Sequence, residues 1–330
     1  MGDAGPLEPS LVSTAPLDDR LDRNGSATQE REVTVLVTGF GPFKSFTTNP
    51  SFLIASALPH KLPPQQPSTS SPNQPEPYTI HLLLHPSPIR VSYTTVSSLI
   101  PTLLQQHNPD YIFHIGVAGG RTNYTLETVG HRDSYKIRDV DERDGWKAGE
   151  HAWKKEGVPE KLHVGWDEED VVERWASEVR SREEELGFDD VPKEESNGLT
   201  VERFGDWFKN VERTEKKRAF SRCQLSVDAG RFLCEFTLFE SLVQRWAELQ
   251  KADKDSRALS RERLGKVAFL HVPGPYDEEA IERGARVAEA AIRSLVASWE
   301  EGRRRKAGQE ENLKGSTKVD TTGTGDSEWD

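Results

Sequence analysis

A chain of 330 residues with 34% hydrophobic content can bury a sizeable core, as one large domain or two small ones. Mean hydropathy of −0.70 is too polar for a uniform globule, and a net charge of −12 argues against a nucleic-acid surface. With two cysteines, no apolar run near the ~20 residues of a membrane span and no secretory signal at its start, the sequence reads as cytoplasmic.

Residues 1–31 are rich in Gly, Pro, Ser and Asp without periodicity and are expected to be a disordered tail. A β-branched strand is predicted over 33–38, then a helix over 50–58 with Pro50 near its start. The Pro/Gln/Ser stretch 63–77 reads as a surface linker. A strand over 78–84, a helix over 91–106 weakened by Pro101 and a strand over 111–117 follow. The stretch 141–221 is densely charged and carries Trp146, Trp153, Trp166 and Trp175. It reads as an elaboration laid over the core, with helices over 167–179 and 200–211. Strands over 223–227 and 266–271 each lead into a helix, near 231–249 and 278–299, and residues 302–330 are expected to be a second disordered tail. Alternation of this kind predicts a single three-layer α/β domain over 32–301, with a largely parallel central sheet flanked by helices.

Cys234 is the most informative residue. Phe232, Phe236, Phe239, Val243 and Trp246 recur at three- and four-residue steps, which puts Cys234 in the first turn of a helix. The positive end of the helix dipole favours a thiolate there. A lone cysteine is more often a small buried hydrophobe, so its partners decide the reading. Glu127 follows the glycine-rich loop after the strand at 111–117, and His271 ends the strand at 266–271. All three are expected at strand carboxyl ends, where open parallel sheets build their sites. A thiol needs a base, an imidazole serves as base and acid, and a carboxylate fixes the imidazole's tautomer. The turn Thr38-Gly-Phe-Gly-Pro-Phe43 does not complete a phosphate-binding fingerprint; its two aromatics suit a flat, uncharged ligand or a core plug. His81 and His85 share a strand face but lack further ligands at metal spacing.

Together these motifs resemble the pyroglutamyl peptidase I family of cysteine exopeptidases. The resemblance rests on Val35-Leu-Val-Thr-Gly-Phe-Gly-Pro-Phe43 with Asn49, Pro50 and Ser51, and on Ile115-Gly-Val-Ala-Gly-Gly-Arg-Thr122 with Leu126 and Glu127. It also rests on Ser226-Val-Asp-Ala-Gly-Arg-Phe-Leu-Cys234 and on Phe269-Leu-His-Val-Pro273. It implies a catalytic triad of Glu127, Cys234 and His271, and a pyroglutamyl pocket lined by Phe40, Phe43, Phe232 and Leu233. The implied activity removes an N-terminal pyroglutamate from peptide substrates through a thioester, without metal or organic cofactor and without nucleic-acid or membrane partners. The chain departs from the family in carrying Glu235, where Asn often follows the cysteine. Arg138 stands one residue out of register with an arginine proposed to help the oxyanion in bacterial members. Alternatives are a cysteine hydrolase of another small amide on the same scaffold, or an interaction protein with a blocked site. Oligomeric state is left open.

Overall fold

Strands buried on both faces need helices above and below them, and the apolar runs of this chain are arranged that way. The computed structural model describes residues 31–43, 46–64, 78–188 and 222–300. The two expected tails (apart from Arg31), most of the 63–77 stretch and the helix expected over 200–211 lie outside the described residues.

The strands are β1 (Arg31–Thr38), β2 (Lys61–Leu62), β3 (Tyr78–Leu84), β4 (Tyr111–Val117), β5 (Tyr124–Glu127), β6 (Val129–His131), β7 (Lys161–His163), β8 (Cys223–Ser226) and β9 (Val267–Val272). The helices are α1 (Pro50–Ala57), α2 (Tyr93–His107), α3 (His151–Lys155), α4 (Glu168–Ser181), α5 (Leu233–Lys251), α6 (Arg257–Leu264) and α7 (Glu278–Glu300). One π-helical turn, Trp146–Glu150, leads into α3.

The central sheet has the order β2-β3-β1-β4-β9-β5-β8. Its middle, β3, β1, β4 and β9, is parallel, and β2 closes one edge antiparallel to β3. Toward the other edge β5 runs antiparallel to β9, and β8 runs parallel to β5. The sheet is therefore largely parallel, with a reversed pair beside β9 that the sequence did not reveal. Strands β6 and β7 form a separate antiparallel ribbon.

Strand alternation sends successive side chains to opposite faces. Phe113, Ile115, Leu126, Ala268 and Leu270 point to one layer, where α1, α4 and α7 pack. Leu36, Ile112, Val267 and Phe269 point to the other, built by α2, α3, α5 and α6. Helix α5 lies against the sheet and is also covered by α2, α6 and the β6–β7 ribbon. Its Thr237, Leu238, Glu240 and Ser241 are consequently buried along with the predicted aromatic stripe.

The described part of the stretch expected as an elaboration contributes three of its four tryptophans to the core. Trp166 and Trp175 are both 0% exposed and sit in the layer of α4 and α7. Each indole N–H is satisfied by a carbonyl: Trp166 Nε1 donates to Val267 O at 3.1 Å, and Trp175 Nε1 to Val287 O at 3.0 Å. Trp153 packs on Phe236 and Phe239 of α5, while Trp146 is 44% exposed. The charge of this stretch lies on the outer face of helices whose inner face is apolar.

Candidate active site

The site is built on the α5 face of the sheet. β9 alternation places Phe269 and His271 there, and β5 alternation places Thr125 and Glu127. In the antiparallel β5–β9 pair, His271 stands opposite Thr125 and Glu127 opposite Phe269. Glu127 and His271 are thus diagonal neighbours, a separation that long side chains bridge. Glu127 Oε1 lies 2.7 Å from His271 Nδ1, and both residues are buried. Glu127 does end a strand, but that strand, β5, runs antiparallel to β9, which corrects the expected site at the carboxyl ends of parallel strands. The strand before Cys234 also runs against β9, so only His271 occupies the expected kind of strand end.

Cys234, the second residue of α5, is half-buried and hydrogen-bonded to His271. With Nδ1 taken by Glu127, it is Nε2 that faces the sulfur. Gly116 of β4 pairs with His271 and leaves the room for this approach. A Cβ on Gly116 would stand 2.9 Å from Cys234 Sγ and 2.6 Å from the Phe269 ring. The structure therefore brings Glu127, His271 and Cys234 into one hydrogen-bonded line.

Two electrostatic consequences follow. Burial pulls the His271 pKa down, but the Cys234 sulfur and the Glu127 carboxylate together outweigh it and raise the pKa to about 9. Burial pushes Glu127 up, yet hydrogen bonds and charge from His271, with support from Ser226 and Arg121, hold it below the usual carboxylate value. Arg121 Nη1 donates to the same Oε1 at 2.8 Å. Oε2 is buried without a hydrogen-bond partner of ordinary geometry, although the Ser226 hydroxyl lies close by on the neighbouring strand. The second cysteine, Cys223, is fully buried in the opposite layer, where burial raises its thiol pKa.

A pocket of about 270 Å³ opens beside Cys234 and His271, and Phe40, Phe43, Phe232 and Leu233 all line it. Phe43 and Phe232 form one wall, with ring centroids 5.3 Å apart. The turn that carries Phe40 and Phe43 is pinned by Gly41 N–H to Ile89 O at 2.8 Å and by Asn49 Nδ2 to Gly41 O at 2.9 Å. Asn49 also caps α1, with Pro50 in the first helical turn, so helix start and pocket turn are one construction. Asn49, Val91, Arg121, Ala229 and Gly230 complete the lining together with Val117 and Ala118. Sequence reasoning assigned none of these a role, because nothing local distinguishes them from ordinary turn and core residues. Larger hollows between α4 and α7 and between α1 and α7 contain neither cysteine nor histidine.

Arg138 is not among the lining residues. It is 70% exposed and 3.8 Å from Glu142. Its neighbour Asp139 turns inward instead, accepting from Tyr93 N–H at 2.8 Å and Arg143 N–H at 3.0 Å, which directs Arg138 to solvent.

Known proteins are similar to this chain in sequence and in fold. The family model described as pyroglutamyl peptidase matches residues 33–157, a span that holds Phe40, Phe43 and Glu127. Pyroglutamyl-peptidase 1 of Mus musculus and that of Homo sapiens are each 29% identical over 255 residues, covering 76% of this chain and 86% of the relative. This chain is similar to the pyroglutamyl peptidases. A solved member, the pyrrolidone carboxyl peptidase from Thermococcus litoralis, superposes with a TM-score of 0.50 at 16% identity. The superposition covers 83% of this chain and 97% of that one, and supports the same α/β fold. The matched span of the pyroglutamyl peptidase model ends before Cys234 and His271, whose placement rests on the contacts described above.

Proposed function

We propose that this chain is a cysteine exopeptidase that releases N-terminal pyroglutamate from peptides, with Cys234 as nucleophile, His271 as base and then acid, and Glu127 holding the imidazole. Attack of Cys234 Sγ on the carbonyl that joins the lactam ring to the next residue passes the thiol proton to His271 Nε2. The first turn of α5 has no side-chain cap, so its backbone N–H groups are left to bind the oxyanion. Collapse breaks the C–N bond, and His271 returns the proton to the departing amine. Water then attacks the thioester while His271 takes its proton, and the protonated imidazole restores the thiol. Glu127 supports the positive imidazolium in both half-reactions and keeps Nδ1 protonated.

The observation that carries the substrate assignment is the chemistry of the pocket. Its walls are largely apolar, and none of its lining residues is a carboxylate. An α-ammonium would enter without a counter-ion, at the cost of burying an unpaired charge. A pyroglutamyl ring carries a neutral lactam in that place and needs only hydrogen bonds.

Comparison of an L-pyroglutamyl amide with the matched L-prolyl amide tests this reading, since the rings differ in the lactam carbonyl and in charge. The pyroglutamyl amide should be favoured about 100-fold or more in kcat/KM. Equal rates, or a preference for the prolyl amide, would overturn it.

A further inference from the structure

The residue that follows the nucleophile is a buried acid. Glu235 is 0% exposed, and both of its oxygens are occupied. Oε2 accepts from the backbone N–H of Arg231 at 2.7 Å. The Arg231 guanidinium Nη1 lies 2.6 Å from Oε1 and 2.8 Å from Oε2. Oε1 also accepts from His131 N–H at 3.1 Å, and His131 Nδ1 is 2.5 Å away. The Tyr135 hydroxyl in turn donates to the His131 carbonyl.

This cluster ties together two parts of the site. The segment Tyr124–His131 supplies Glu127 to His271 from β5 and His131 to Glu235 from β6. The turn held on the other side is unusual: Gly230 has φ +95° and Arg231 φ +49°, so a non-glycine residue sits in the left-handed region. Such a conformation persists only where its surroundings hold it. Ala229, Gly230, Phe232, Leu233 and Cys234, on either side of Arg231, all line the pocket, whereas Glu235 does not.

We propose that Glu235 is a positioning residue, a clamp that holds the 229–233 turn so that the pocket wall and the first-turn N–H groups of α5 are aligned with Cys234. The inference rests on the pyroglutamyl peptidase reading and deepens it. The Arg231 and His131 backbone N–H groups and the Arg231 guanidinium all donate to the carboxylate, and Arg231 Nη1 also lies 2.9 Å from His131 Nδ1. Gln at this position would present its own N–H₂ to donors on one side, so shape alone does not replace the charge.

The test uses the full chain and the variants Glu235→Gln and Arg231→Met, the second because Arg231 is partly exposed and its loss leaves the buried carboxylate two backbone donors. Amide hydrogen exchange and pyroglutamyl-amide kinetics are measured well below each unfolding midpoint. The clamp predicts exchange at 230–234 at least tenfold faster in either folded variant, with the later turns of α5 unchanged. It also predicts a fall in kcat of tenfold or more for Glu235→Gln, a smaller fall for Arg231→Met, and partial recovery in Glu235→Asp. Exchange that rises evenly along α5, or that rises locally with kcat and KM within twofold of wild type, would reduce Glu235 to a structural brace and overturn the proposal. A wild type that does not turn over the pyroglutamyl amide would instead count against the function, while the exchange pattern would still test the clamp.

Discussion

The substitution Gly116→Ala probes the tightest point of the site. Its added Cβ would lie 2.6 and 2.8 Å from two Phe269 ring carbons and 2.9 Å from Cys234 Sγ. Carbon atoms in ordinary contact stand roughly 3.5–4.0 Å apart, so about 1 Å of movement is required. The Phe269 ring is fully buried, with the rings of Phe40, His114 and His271 at 6.3, 6.1 and 5.0 Å. Any shift of Phe269 therefore presses on His271, and any shift of the sulfur lengthens its hydrogen bond. Overpacking of this kind costs about 1–3 kcal/mol, which lowers Tm by about 2–4 °C for each kcal/mol and leaves the protein folded. Misplacement of a reacting group by about 1 Å costs on the order of 100-fold in rate. The expected result is therefore a folded Gly116→Ala protein whose kcat/KM on a pyroglutamyl amide is down about 100-fold. Gly120→Ala is the control, since a Cβ there meets nothing within 4 Å, and it should stay within about twofold of wild type. A Gly116→Ala enzyme as active as that control would refute the close approach of Cys234 to β4.

Three further outcomes are expected. His271→Ala should be nearly inactive, whereas Glu127→Gln should keep measurable turnover because an orienting group is less essential than a base; unimpaired rates in both would contradict these roles. The His271 pKa is raised to about 9, so its contribution to stability is complete below the unfolded value of about 6.5 and is lost as pH rises through about 9. Glu127, held low, contributes above its ordinary value and loses that contribution as pH falls through its lowered pKa. Thermal melts across pH should show the alkaline loss shrinking in His271→Ala, and the alkaline limb of kcat/KM should move to lower pH in Glu127→Gln; limbs that coincide with wild type would count against the coupling. Trp166→Ala should cost about 3–5 kcal/mol and lower Tm by roughly 10 °C or more, while Trp146→Ala should change it little. Equal melting points for the two would show that Trp166 does not build the core.

Much of this architecture is legible in the sequence where elements are long and bounded. The strands at 78–84 and 111–117 and the start of α1 at Pro50 coincide with their predicted places, since apolar runs and a proline in a first turn have direct physical meanings. Strand direction is a different matter, because alternation looks the same in parallel and antiparallel pairs. The reversed β5–β8 pair was hidden for that reason, and β5 is four residues long with polar Thr125 and Glu127 on one face, so it reads as a loop. The burial of Trp166 and Trp175 was not legible because the surrounding acids dominate any short window, although those acids occupy the solvent side of α4. Glu127, Cys234 and His271 do meet, but by a diagonal across β5 and β9 rather than along one edge of parallel strands. Glu235 and His131 could not be paired from sequence, because their contact depends on β6 lying over the first turn of α5.

The most direct measurement is hydrolysis of an L-pyroglutamyl amide by reduced wild-type protein and by Cys234→Ala, side by side and with folding checked in both. Steady turnover by the wild type that disappears in the variant is the predicted result. Turnover that survives in Cys234→Ala, or a folded, reduced wild type with none, would contradict the assignment of Cys234 as the nucleophile of a pyroglutamyl peptidase.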